Sequence, residues 1–295
     1  MESKKILVTG ASGYIGHAIA KYLLQHEYKV TGVRRRPGRD FDFCCVQVDL
    51  SKPFEIEGDF DVVVHAAGEV PHRASEKWSY DKKDFISFKH NNVDAMENLV
   101  NFAQTHSVKK IIYLSSIGVY GQMEDIINEE SRHIDLDAYG LTKYMGEIIL
   151  KECDGIQGIS LRMPGVIGVG AHGVWLTNVA EKLIKGEDIT IYTPDFQTKN
   201  FVWIDDLAAF VRHLIELDEW KYDTLVLACK ESSSIRQIVE CIKALTKSES
   251  EIHIDNSIRQ PFCIDASRAF EMGYRSMTPM EIMERYIRLR LAAID

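Results

Sequence analysis

The sequence predicts an α/β fold, a doubly wound parallel sheet with a smaller C-terminal substrate-binding lobe. Three observations carry this. The chain opens as strand, glycine-rich turn and helix: Lys4 to Thr9, then Gly10-Ala-Ser-Gly13-Tyr-Ile-Gly16, then Ile15, Ile19, Tyr22 and Leu23 at helical spacing. Short apolar runs next alternate with amphipathic stretches as far as Gly158–Arg162, the rhythm of strands joined by crossover helices. Beyond Gly170 that rhythm changes and the apolar runs shorten.

Composition bounds the function. The 295 residues, 45% hydrophobic and 27% charged, suit a globular chain with a sizeable core. A net charge of -9 argues against non-specific nucleic-acid binding, which needs positive charge against phosphate. No apolar run reaches the length of a membrane span, and Met1-Glu-Ser-Lys-Lys leads straight into a strand without a signal-peptide layout, so a cytoplasmic protein is expected. The six cysteines form no Cys-x-x-Cys pair and no paired histidine ligands accompany them; reduced thiols and no metal are expected.

The first turn is the candidate dinucleotide cradle. Gly10, Ser12, Gly13, Tyr14, Ile15 and Gly16 let backbone approach a pyrophosphate at the start of a helix. The second strand, Tyr28 to Val33, ends where an acid would hydrogen-bond the ribose of NAD(H). It runs instead into Arg34-Arg35-Arg36, with no carboxylate before Asp40. A guanidinium there accommodates a 2′-phosphate, so Arg34 and Arg35 point to NADP(H), with NAD(H) the alternative. Val46 to Leu50 reads as a third strand whose end places Asp49 and Leu50 at an adenine. Asp61 to Gly68 is the fourth, and its small Ala66-Ala67-Gly68 end admits a flat cofactor. A long helix from Phe85 to Thr105 carries Asn91 and Asn92, suited to a ribose or to backbone bonding. The sixth strand, Gly158 to Arg162, leads to Pro164 and Val166.

The fifth strand, Ile111 to Leu114, ends at Ser115-Ser116, and Tyr139 and Lys143 follow, four apart on a helix and so on one face. A free phenol has a pKa of about 10. A nearby ammonium is expected to lower it toward the range where a proton passes either way. A serine hydroxyl at the strand end can hold the carbonyl or carbinol oxygen beside the phenol. Such a set interconverts an alcohol and a ketone.

Beyond Gly170, helices are expected at Gly173–Gly186, Ser234–Leu245 and from Thr278-Pro279 to Ala293, with short strands at Ile189–Tyr192, Leu225–Ala228 and Glu251–Ile254. No linker divides the chain. Residues 1–168 are read as the dinucleotide-binding domain and 169–295 as a substrate lobe interleaved with it.

These motifs resemble the extended short-chain dehydrogenase/reductase family of nucleotide-sugar epimerases, dehydratases and ketoreductases. The resemblance rests on Thr9-Gly10 to Gly16, His65-Ala-Ala-Gly68, Ser115-Ser116 with Val119-Tyr120-Gly121, Tyr139-x-x-x-Lys143, Arg162-Met-Pro-Gly165, Phe201-Val-Trp-Ile-Asp205-Asp206-Leu, and Asp265-Ala-Ser-Arg268 with Gly273-Tyr274. It implies a Rossmann domain, a nucleotide-sugar substrate, a homodimer, catalytic Ser116, Tyr139 and Lys143, Lys143 also on the nicotinamide ribose, and Pro164 and Val166 near the nicotinamide. Two departures matter. Ser116-Ile117-Gly118 replaces the Thr-Asp-Glu of the dehydratases, arguing against elimination of water. Lys199-Asn200 stands where the family has Arg-Asp on a substrate phosphate, and Arg259 is the candidate for a second phosphate contact. Ser115, Ser116, His172, Trp175 and Lys199 complete the candidate substrate set. The arginine cluster favours an NADPH-dependent sugar-nucleotide 4-ketoreductase; an epimerase of the UDP-glucose 4-epimerase type is the alternative, and a non-catalytic dinucleotide sensor or scaffold a remote third.

Overall fold

The computed structural model describes residues 3–38, 40–71, 82–171, 173–255 and 261–293. The chain first lays down β1 (Lys5–Thr9), α1 (Tyr14–Gln25), β2 (Lys29–Arg34), β3 (Cys44–Gln47) and β4 (Val62–His65). There follow α2 (Lys82–Phe88), α3 (Ala95–Thr105), β5 (Lys110–Ser116) and α4 (Ala138–Lys151). With the strands Gln157–Met163 and Thr224–Val226, β1 to β5 form a seven-stranded parallel sheet. From one edge the order is β3, β2, β1, β4, β5, Gln157–Met163, Thr224–Val226. The order reverses between β1 and β4, and a crevice at the carboxyl ends of the strands opens at such a switch.

Side-chain alternation explains why both faces are covered. Ile6, Val8, Ile112 and Leu114 join a core with α1 and the helix Ile204–Glu216, while Leu7, Ile111 and Tyr113 join a second core with α3. The last strand of the sheet comes from beyond the first part of the lobe. The strand-like run at Leu225 thus closes the main sheet on Gln157–Met163 rather than standing in the lobe. The rest of the lobe is built of short pairs, Ile189–Tyr192 with Ile252–Asp255 and Gly165–Ile167 with Phe201–Trp203, under the helices Trp175–Ile184, Ile235–Thr246 and Pro279–Leu291.

Two elements differ from expectation. The third strand spans Cys44–Gln47 and ends before Asp49: Val48 still donates to the Arg34 carbonyl, but Asp49 then accepts from Ser51 N and Oγ, and that side-chain turn stops the pairing. The expected long helix over Phe85 to Thr105 is interrupted by a π-turn at Lys89–Asp94, which carries Asn91 and Asn92. Among the described residues no helix is long and apolar enough to cross a membrane.

Candidate active site

The glycine turn is tight for steric reasons. Gly10 has φ +67°, and a Cβ there would lie 2.7 Å from Ala67 N and 2.8 Å from the Ala66 carbonyl. A Cβ on Gly16 would lie 2.3 Å from the Gly10 oxygen. Only glycine lets β1, the start of α1 and the end of β4 close on one another. No side chain caps α1 at Gly13, and Ser12 and Gly13 are exposed, so the first-turn amides of Tyr14, Ile15 and Gly16 lack a side-chain cap. That arrangement fits the pyrophosphate of a dinucleotide. The Tyr14 side chain turns away: its buried hydroxyl has no hydrogen-bond partner among the described residues and lies where a Cβ on Gly168 would stand, at 2.3 Å. Ile15 packs against the α1-side core.

The remaining cofactor candidates divide. Leu50 is buried, Ala66 and Ala67 are half-buried, and exposed Gly68 lies beside Lys143, whose Nζ would be 3.8 Å from a Cβ there. Pro164 and Val166 are buried just beyond Met163, which pairs with Ser116. Arg34 lies over the Phe41 ring, 5.8 Å from its centroid. Arg35 donates to Asn91 Oδ1, and Asn91 Nδ2 donates to Glu69 Oε2 at 2.6 Å and to the Ser87 carbonyl at 3.0 Å. Asn91 is therefore engaged by protein groups rather than facing open space. Asn92, 2% exposed, accepts from Glu69 N at 2.8 Å and donates to Thr142 Oγ1 at 3.1 Å, tying the end of β4 to the helix of Lys143.

Ser116 and Tyr139 come together across the turn after β5, where a Cβ on Gly118 would lie 3.3 Å from Ser116 Oγ and 3.4 Å from the Tyr139 ring, while Lys143 reaches the Leu114 carbonyl of the same strand. Asp137 caps α4 by accepting from Gly140 N at 2.6 Å, and this fixes the first turn that carries Tyr139. A Cβ on Gly140 would lie 2.1 Å from the Gly118 oxygen, so the helix start rests on the loop after Ser116. Ser116 Oγ accepts from Gly118 N at 3.1 Å and keeps its proton to donate. Lys143, 5% exposed, donates to the Leu114 carbonyl at 2.7 Å and stands 4.1 Å from the centroid of the Tyr113 ring. Burial lowers its pKa to about 7, against the opposing charge of Glu147. The expectation for Tyr139 needs correction: burial raises its pKa, and the group that opposes this is the Ser116 hydroxyl, not the ammonium. The reason is desolvation, which disfavours the phenolate and the ammonium alike.

The substrate candidates are scattered. Ser115 was expected on the substrate oxygen, but its hydroxyl donates to buried Glu147. Strand alternation was the signal to read, because Ser115 shares a sheet face with Ile111 and Tyr113. Trp175 is 39% exposed at the start of its lobe helix. Lys199 is half-buried, its carbonyl accepting from Cys229 N at 2.9 Å. Neighbouring Asn200 spans Phe262 O and Ile264 N, at 2.6 and 3.1 Å. His172 and Arg259 lie outside the described residues. Sequence reasoning missed the partners Glu69 and Glu147; the position of Glu147, four after Lys143 and eight after Tyr139, was the available signal.

A parallel sheet of this order, a glycine turn at its switch point and a serine, tyrosine and lysine at one strand end define an NAD-dependent oxidoreductase-type enzyme. The chain belongs to the NAD dependent epimerase/dehydratase family, whose pattern matches residues 6–228. It is 26% identical over 275 residues to UDP-glucose 4-epimerase of Corynebacterium glutamicum, covering 82% of this chain and 80% of that one. It is 24% identical to dTDP-4-dehydro-6-deoxy-D-allose reductase of a Streptomyces species, over 86% of this chain and 85% of that one. The crystal structure of UDP-glucuronic acid 4-epimerase from Bacillus cereus in complex with NAD superposes with a TM-score of 0.77 at 23% identity, covering 96% of each chain.

Proposed function

We propose that the protein is a nucleotide-sugar 4-epimerase, which replaces the ketoreductase as the leading reading. The observation that carries it is near-full-length similarity to 4-epimerases around one intact Ser116–Tyr139–Lys143 set. In this reading Ser116 Oγ donates to the oxygen on the sugar carbon being inverted. Tyr139 removes the hydroxyl proton as the carbon is oxidised and returns it when the other face is reduced. Lys143 would hold the nicotinamide ribose from beside the end of β5, where it donates to the Leu114 carbonyl. When bound, the nicotinamide supplies the two-electron acceptor and donor. Ile117 and Gly118 leave no acid for elimination, so the sugar keeps its oxygens. With purified protein, a dinucleotide and UDP-glucose or UDP-glucuronic acid, the C4 epimer is expected to form while the absorbance of reduced nicotinamide stays flat. Stoichiometric NADPH oxidation by a nucleotide-linked 4-keto-6-deoxy sugar, with no epimer from either UDP-sugar, would restore the reductase reading.

The cofactor belongs to the same proposal. The strand-end position carries Arg34 and no acid, which supports binding of the 2′-phosphate and hence NADP(H) in preference to NAD(H). Calorimetric titration with both dinucleotides tests it. Arg34→Asp is expected to reverse the preference, because a carboxylate repels the phosphate and accepts from the ribose hydroxyl. Tighter binding of NAD(H) by the wild-type protein sinks the idea.

A further inference from the structure

Beneath the site lies a buried charge pair that the proposed chemistry does not use. Glu147 and Arg162 are 6% and 5% exposed. Arg162 Nε lies 3.1 Å from each Glu147 oxygen, and Nη2 lies 2.7 Å from Oε2. The pair does more than neutralise itself. Glu147 Oε1 also accepts the Ser115 hydroxyl. Arg162 Nη1 reaches the Tyr120 hydroxyl at 3.0 Å and the Glu129 carbonyl at 3.3 Å. One carboxylate on α4 is thus joined to the residue before Ser116 and, through Arg162, to Tyr120 at the end of the turn Ile117–Tyr120 that follows it.

We propose that Glu147 is a positioning residue: it locks the strand end bearing Ser116 against the helix bearing Tyr139 and Lys143, so that hydroxyl and phenol meet the same substrate oxygen. This rests on the reading of Ser116, Tyr139 and Lys143 as the catalytic set. Ser116 and Tyr139 stand on different elements, and their separation is set by whatever ties those elements together. Packing alone leaves a helix free to shift by fractions of an ångström. Three hydrogen bonds from a desolvated pair to three separate segments do not. A positional error of about 1 Å at a reacting atom costs on the order of 10²-fold in rate.

The test separates positioning from stability. Breaking a buried pair destabilises by stranding a charge, whereas replacing both members with apolar residues is often neutral or stabilising. Glu147→Met with Arg162→Met is therefore expected to melt near the wild-type temperature yet turn over about 10²-fold more slowly, with KM and dinucleotide affinity within about threefold. Ser115→Ala, which removes one hydroxyl and leaves the ion pair, is expected to lower kcat about tenfold while lowering the melting temperature by only a few degrees. Amide hydrogen exchange over residues 115–121 is expected to quicken in both variants. Wild-type kcat in a stable double variant overturns the proposal. If the double variant does not fold, unchanged kcat in Ser115→Ala overturns it. The exchange measurement needs no substrate: should the wild-type protein epimerise nothing, the functional reading fails, and unchanged exchange at 115–121 would still overturn this one.

Discussion

Tyr139→Phe is expected to lower turnover by about 10²–10⁴-fold, the usual size of a general acid–base contribution, while dinucleotide affinity stays within a few-fold. The ring remains, so its packing against Phe88, with centroids 5.8 Å apart, is kept. What is lost is the one phenol that Ser116 accompanies at the strand end. Burial raises the Tyr139 pKa and so favours the protonated phenol, the form that returns the proton in the reducing half of the proposed reaction. Steady-state rates with the preferred nucleotide sugar, beside a dinucleotide titration, check this. A Phe variant keeping more than about a tenth of wild-type turnover would remove Tyr139 from the proton-transfer role.

Lys143→Met is expected to abolish turnover and at the same time raise the melting temperature of the cofactor-free protein by several degrees near about pH 6. In the folded protein the ammonium pKa falls to about 7, below its ordinary value of 10.5, which the unfolded chain retains. Below about pH 7 both states are protonated, and the folded state bears the full cost of burying the charge, on the order of 5 kcal/mol. Between the two pKa values the unfolded chain binds more protons, so this group makes stability rise with pH, and above about pH 10.5 its cost is gone. Losing the bond to the Leu114 carbonyl offsets roughly 1 kcal/mol. The gap between variant and wild type should therefore be widest below neutrality and close toward alkaline pH. A Met variant that melts lower than wild type near about pH 6 would show that Lys143 is not held against a desolvation cost.

The candidate trio was legible because each member has a local signature: a serine at the end of an apolar run, and a tyrosine and lysine one helical turn apart. The glycine turn was legible for the same reason, its residues being contiguous. Its steric necessity, with Gly16 against the Gly10 oxygen, is a property of the folded turn. The partners of Asn91 and Ser115 were not legible, because polar residues near a strand end have two sets of partners to choose between, cofactor or protein. Asn91 finds Arg35, Glu69 and Ser87, and Ser115 finds Glu147, 32 positions along the chain.

By itself the sequence determined the alternation of strands and helices, the glycine turn after the first strand and the candidate acid–base set, since period and spacing are local and survive without knowledge of contacts. The tertiary structure alone decided three further points. Thr224–Val226 returns to close the sheet. Lys143 is directed to Leu114 and Tyr113 instead of bringing down the tyrosine pKa. Glu147 and Arg162 meet beneath Ser116. Each depends on desolvation or on hydrogen bonds between segments far apart in sequence, and their energies exist only once those segments are packed together and water is excluded.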